Sequence, residues 1–266
     1  MITADYHVHT NFSTDSDTPM EDQIKKAIDL HLDRICITDH MDYDYPVKGE
    51  FEFDPSSYLK TIDDMKDKYG KQIKILKGVE LGLRPEVASR CQALVDMYPF
   101  DFIIGSTHLV DNIDPYEKEY WNSISEKEGI NKYLSTIVSN IKSFQDFQVY
   151  GHIDYVVRYA PNQNKYYSYE AYKEIIDKVL AVIIDHGKGI EVNTAGYKYG
   201  LGYAHPQTDI IKRYLQMGGK IITIGSDGHK PEHLAFDFDR ARNMLLELGV
   251  KEYTVFENRQ PIFLPL

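Results

Sequence analysis

The sequence predicts an α/β chain folded as a distorted barrel of seven strand-then-helix units. Three observations predict it. Short runs rich in β-branched residues alternate with helical patterning along all 266 residues, as parallel strands joined by crossovers require. No composition break, repeat or low-complexity segment interrupts the series, so residues 1–266 read as one domain. Every strand run also ends in residues that can hold a metal. An open doubly wound sheet gathers its site at one switch point, whereas a barrel draws site residues from the carboxyl ends of nearly all its strands. All seven strands contribute here, and that selects the barrel.

The first strand carries His7 and His9, which share a face because strand side chains alternate. A polar loop follows, with Asp15 and Asp17. Thr18 can cap a helix over 19–31 with Pro19 at its first position and Glu21 three residues after the cap. The second strand, 34–39, runs into His40. The acidic and aromatic loop 41–53 is too long for a plain connector, and such loops cover or build sites. Asp54 can cap a helix over 55–69. Strand 73–80 ends at Glu80, and helix 85–97 has a proline start signal and Pro99 beyond its end.

Strand 100–107 delivers His108. Residues 114–146 carry helical spacing at Ile130, Tyr133, Leu134, Ile137, Ile141 and Phe144. Strand 148–153 contains His152, and the loop 158–168 leads to helix 169–186, stopped by Gly187. Strand 189–193 ends at Asn193. After a glycine-rich loop come helix 206–217, Gly218-Gly219, and strand 220–225, which leads to Asp227 and His229. A helix near 237–248 and a short strand pair around 253–256 and 262–264 complete the chain.

Composition narrows the function. A formal charge of −11 without a basic tract disfavours a nonspecific grip on nucleic acid, which needs clustered Lys and Arg. No apolar run approaches the roughly 20 residues of a membrane span. The start of the chain has no signal-peptide pattern. Cys36 and Cys91 read as packing residues of a reducing, cytoplasmic setting.

The candidate ligands are His7, His9, Asp15, His40, Glu80, His108, His152, Asp227 and His229, with no thiolate among them. Nine ligands exceed one ion, so they fit two or three divalent metals, Zn, Mn or Fe, with a carboxylate such as Glu80 bridging. Paired metals hold a hydroxide and clamp phosphoryl oxygens for in-line attack, so phosphate-ester hydrolysis is the reaction expected.

The motifs HVHT (7–10), TDH (38–40), GVE (78–80), STH (106–108), GHID (151–154) and SDGH (226–229) resemble, in that order, those of the PHP (polymerase and histidinol phosphatase) family of metal-dependent phosphoesterases. Length, IEVNTAG (190–196) and GSDGHKPEHL (225–234) resemble its stand-alone L-histidinol-phosphate phosphatase branch. The resemblance implies a (β/α)7 barrel with a trinuclear site. Carried over by position, His7, His9, Glu80 and Asp227 would hold one metal, Glu80, His108 and His152 a second, and Asp15, His40 and His229 a third. Some relatives have His where this chain has Asp15.

The implied mechanism has a metal-bridging hydroxide attacking phosphorus, with Arg158 beside the metals at the phosphoryl oxygens. Asp42 is the favoured acid for the departing alkoxide, with Asp17 and His233 as rivals. Asp154 reads as the partner orienting His152. His31 and His186 fit helix carboxyl ends, and the roles of Asn193, Lys198, His205 and Lys230 stay open. The expected partner is a small phosphate monoester, with L-histidinol phosphate first. Its imidazole and ammonium would meet tyrosines or acids near 42–53 and 115–121. A nucleotide or nucleic-acid 3′ end, and a non-catalytic metal-binding module, are the alternatives.

Overall fold

A computed structural model describes residues 1–266. Its strands are β1 (Ala4–Asp5), β2 (Arg34–Ile37), β3 (His40–Met41), β4 (Lys74–Gly82), β5 (Phe102–Ser106), β6 (Val149–Tyr150), β7 (Gly189–Asn193) and β8 (Ile222–Gly225). They pair in parallel in the order β1-β2-β4-β5-β6-β7-β8, with β3 continuing β2 along β4. Tyr6 N–H donates to the Ile224 carbonyl at 3.1 Å, and Val8 bridges Gly228 in parallel. These contacts bring β8 back to the first strand, so the sheet is a nearly closed barrel of seven strand positions, as expected.

The main crossover helices are α1 (Met20–Asp29), α2 (Pro55–Tyr69), α3 (Ala88–Met97), α5 (Glu126–Ser143), α6 (Lys173–Asp185), α8 (Thr208–Gln216) and α9 (Phe238–Glu247). Short α4 (Lys118–Asn122) and α7 (Ala195–Lys198) lie within loops. Local chemistry explains most of the boundaries. Asp54 accepts the Ser57 N–H at 2.8 Å and starts α2. A reciprocal capping box between Ser125 and Glu128 starts α5, and Gly187 takes φ +67° just past α6. The stripe Ile130, Tyr133, Leu134, Ile137 and Ile141 is fully buried.

Two expectations shift. Thr18 does not cap α1, because its hydroxyl donates instead to the His229 carbonyl at 2.8 Å. The strand expected over 148–153 is only two residues long, since the chain turns out of the sheet at Gly151.

The antiparallel hairpin β9 (Glu252–Glu257) and β10 (Gln260–Pro265) turns on Asn258 and Arg259, both at positive φ. It covers the amino-terminal end of the barrel. Phe256 stacks on Phe102 at 5.3 Å, and Tyr6 Oη donates to the Phe256 carbonyl at 2.8 Å. With that end sealed, polar strand ends gather at the other. One apolar core of 67 buried residues runs from Ile2 to Phe256. Both cysteines are free and buried in it, and no helix is long and apolar enough to cross a membrane.

Candidate metal centre and active site

The centre is built around Glu80, which is fully buried on β4. Its Oε1 lies 2.9 Å from His152 Nε2 and 3.3 Å from His108 Nε2, and accepts the Ser106 hydroxyl at 2.7 Å. Its Oε2 lies 3.1 Å from His7 Nε2, 3.1 Å from His40 Nδ1 and 3.5 Å from His9 Nε2. Asp227 Oδ1 faces His229 Nδ1 at 3.4 Å and His9 Nε2 at 3.5 Å. Asp15, the most exposed member, reaches His229 Nε2 at 2.9 Å and His40 Nε2 at 3.7 Å. All nine expected ligands therefore converge. Asp227 reaches the cluster through a left-handed backbone, φ +52°, a conformation that clusters at functional sites.

The donor set fits divalent metal. His7 Nε2, His9 Nε2, His40 Nδ1, His108 Nε2 and Glu80 Oε2 are buried without a hydrogen-bond partner. So many unsatisfied buried nitrogens in one place need a common partner. Donor atoms close enough to share an ion form four overlapping triads: His7-His9-Asp227, His7-Glu80-His152, His40-Glu80-His108 and His9-His40-His229. The first falls within one group carried over by position. The other three cross those groups, through His7, His40 and His9 respectively.

The electrostatics call for positive charge. Burial works against ionised imidazole at His7 and His40, yet Glu191 and Glu80 around the first, and Glu80 and Asp15 around the second, hold both well above the usual value. His108 is raised to about 10 against burial by Asp42 and Glu80. Glu80 is held well below the carboxylate range, also against burial, by His7, His108 and His40. In the absence of cations, protons would sit where metal fits.

The far ring nitrogens are held from behind, as ligating histidines usually are. His7 Nδ1 meets Glu191 Oε1 at 2.6 Å, His9 Nδ1 meets Ser13 Oγ at 3.1 Å, and His108 Nδ1 meets Asp42 Oδ2 at 2.8 Å. Sequence reasoning passed over Glu191 and Ser13. The signal for Glu191 was a charged residue inside a fully buried strand, on the same face as Asn193. Asn193 does face the centre, donating to Glu191 Oε2 at 3.2 Å.

An open cavity of about 400 Å³ lies over the centre. Arg158 lines it with no carboxylate partner, its guanidinium stacked on Tyr199 at 4.0 Å and Tyr155 at 4.9 Å. Lys198, Lys230 and His233 also line it, and Lys198 Nζ donates to the Asp227 carbonyl at 3.1 Å.

The acid candidates separate. Asp42 is buried and committed to His108, which removes the argument for it as the proton donor. Asp17 is exposed and outside the cavity, so its place in the chemistry is withdrawn as well. Asp154 does hold an imidazole, as expected of a partner residue, but that of His205 and not of the ligand His152. The chain leaves the strand before it, and its carboxylate pairs with buried His205 Nδ1 at 2.5 Å and accepts the Gln207 N–H. His205 is thus neither in solvent nor in the cavity. His186 Nδ1 meets the Val182 carbonyl at 2.8 Å, at the end of α6.

The PHP domain model matches residues 5–195 of this sequence. The chain belongs to the PHP domain family. The "Probable histidinol-phosphatase" of Clostridium acetobutylicum is 36% identical over 255 residues, covering 96% of this chain and 97% of that protein. The "Histidinol-phosphatase" of Lactococcus lactis is 29% identical, covering 95% and 93%. The crystal structure of the histidinol phosphate phosphatase from Lactococcus lactis, complexed with Zn, L-histidinol and phosphate, superposes with a TM-score of 0.91 at 27% identity, covering 98% of this chain and 99% of the other. The PHP assignment accounts for the barrel and for the His and carboxylate cluster at its open end.

Proposed function

We propose that this chain is a metal-dependent phosphomonoesterase that hydrolyses L-histidinol phosphate to L-histidinol and inorganic phosphate. The observation that carries the reading is a buried cluster of unsatisfied imidazoles around Glu80, opening into the same cavity as an unpaired arginine. Full-length similarity to the Lactococcus lactis histidinol-phosphatase, whose structure holds Zn, L-histidinol and phosphate, supports the substrate and makes zinc the first metal to try. Residues 1–266 would act as a single domain around the one core, in the cytoplasm.

Two or three divalent ions would be held by His7, His9, Asp15, His40, Glu80, His108, His152, Asp227 and His229. When bound, such ions supply a water nucleophile at neutral pH and positive charge for phosphoryl oxygens. The protein's own groups do the rest. Arg158, preset by its tyrosine stack, takes phosphoryl oxygens through its fork of N–H donors, and Lys198 adds charge beside it. Glu191, Ser13 and Asp42 fix the tautomers of His7, His9 and His108. With Asp17 outside the cavity and Asp42, which lines it, held by His108 Nδ1, the proton for the departing alkoxide is assigned to His233, which lines the same cavity.

The test is phosphate release from L-histidinol phosphate, a nucleoside monophosphate and a phosphodiester in parallel. A kcat/KM at least tenfold higher for L-histidinol phosphate supports the reading. Preference for the nucleotide or the diester would overturn the substrate while leaving the metal chemistry in place.

A further inference from the structure

Asp114 lies in the loop after β5 and lines the cavity. Every hydrogen-bond partner of its carboxylate is uncharged: Tyr45 Oη at 3.2 Å, Tyr155 Oη at 3.4 Å and its own loop's Tyr116 N–H at 2.8 Å. A half-buried carboxylate without a cation is costly unless something positive completes it. The same cavity holds an unpaired cation, yet Asp114 and Arg158 do not pair. Tyr155 stands between them, its ring face under Arg158 at 4.9 Å and its hydroxyl against Asp114.

The cavity is therefore dipolar. Arg158 and Lys198 line it with positive charge, and Asp114, held by the hydroxyls of Tyr45 and Tyr155, lines it with a negative charge that is not one of the carboxylates of the metal centre. An ester carrying phosphate alone would use only the positive groups. A ligand with a phosphate at one end and a protonated nitrogen at the other would use both.

We infer that Asp114 is the specificity residue that binds the cationic nitrogen of the substrate, selecting aminoalkyl phosphate monoesters over uncharged ones. This rests on the proposed histidinol phosphate activity. Of the two regions expected to recognise the substrate, 42–53 reaches the cavity through Tyr45 and Phe51, while in 115–121 Glu117 and Glu119 are exposed and do not line it; Asp114, just before that stretch, does.

Asp114→Asn separates recognition from structure. Asn still accepts the Tyr116 N–H through Oδ1 and keeps the local turn; its size is unchanged, and its Nδ2 meets the Tyr45 hydroxyl, which can rotate to accept, so the principal loss is the charge. The experiment compares wild type and D114N on L-histidinol phosphate and on p-nitrophenyl phosphate, with product inhibition by L-histidinol and by inorganic phosphate measured alongside. Loss of one charge-assisted hydrogen bond predicts a KM for L-histidinol phosphate about 10- to 100-fold higher. The inhibition constant for L-histidinol should rise in parallel. Values for p-nitrophenyl phosphate and inorganic phosphate should stay within about twofold.

Equal losses on both esters would mean a structural role and overturn the inference, as would no change on either. Wild-type protein that cleaves p-nitrophenyl phosphate but not L-histidinol phosphate would instead sink the substrate reading, and the inference with it.

Discussion

Replacing Glu191 by Gln tests how the histidines are held. Both oxygens of this buried carboxylate face donors only: His7 Nδ1 at 2.6 Å, the His152 N–H at 2.9 Å and Asn193 Nδ2 at 3.2 Å. Gln keeps the volume but turns one acceptor into an NH2 group, so one donor must face another. The conflict clears only if His7 moves its proton to Nε2, the atom now 3.1 Å from Glu80 Oε2 and unsatisfied. That tautomer cannot bind metal. Relaxation by shifting the side chain is blocked on one side, where Gly225 packs so closely that even a Cβ there would meet Glu191 Oε1 at 2.6 Å.

Losing such a partner typically lowers metal affinity about 10- to 100-fold, or about 1.4–2.8 kcal/mol. If the donor conflict stays unresolved, the metal-free fold should lose about 1–3 kcal/mol. Chelator competition on stripped wild-type and E191Q protein, read by metal analysis of the retained fraction, measures the first quantity, and thermal melts of the stripped proteins measure the second. Affinity unchanged within twofold would refute the claim that Glu191 sets the His7 tautomer.

Asp42→Asn should reduce metal retention with a loss of turnover that added metal partly restores, because Asp42 holds His108 rather than donating a proton; full metal content with turnover down about 10²-fold or more would reinstate it as the acid. Arg158→Met should leave metal content unchanged and lower kcat/KM about 10²-fold, measured by phosphate release, since the unpaired guanidinium is reserved for phosphoryl oxygens. His233→Asn should lower kcat about 10²-fold or more on L-histidinol phosphate and much less on p-nitrophenyl phosphate, whose leaving group needs little protonation; equal losses on both would remove His233 as the acid.

The barrel and the convergence of nine ligand-type residues were legible because both rest on periodicity. Strand runs alternate with helix runs, and strand ends share one rim of a parallel barrel. Roles that depend on side-chain direction were harder to read. Asp42 sits in a loop, where spacing does not show that its carboxylate turns back to His108. Asp154 was placed by counting two residues from His152, but that count holds only within a strand, and the strand ends at Tyr150. Glu191 was legible and passed over. Asp114 was not, because its significance comes from Tyr45 and Tyr155, which lie far from it in the chain. Shared membership follows from the same distance along the chain: His7, His9 and His40 each stand within reach of more than one triad.

The most direct measurement is phosphate release from L-histidinol phosphate by stripped protein before and after graded addition of Zn or Mn, with bound metal counted at each step. The account predicts negligible release from the stripped protein and recovery as two to three equivalents bind. Unchanged turnover in protein shown to be metal-free would contradict it.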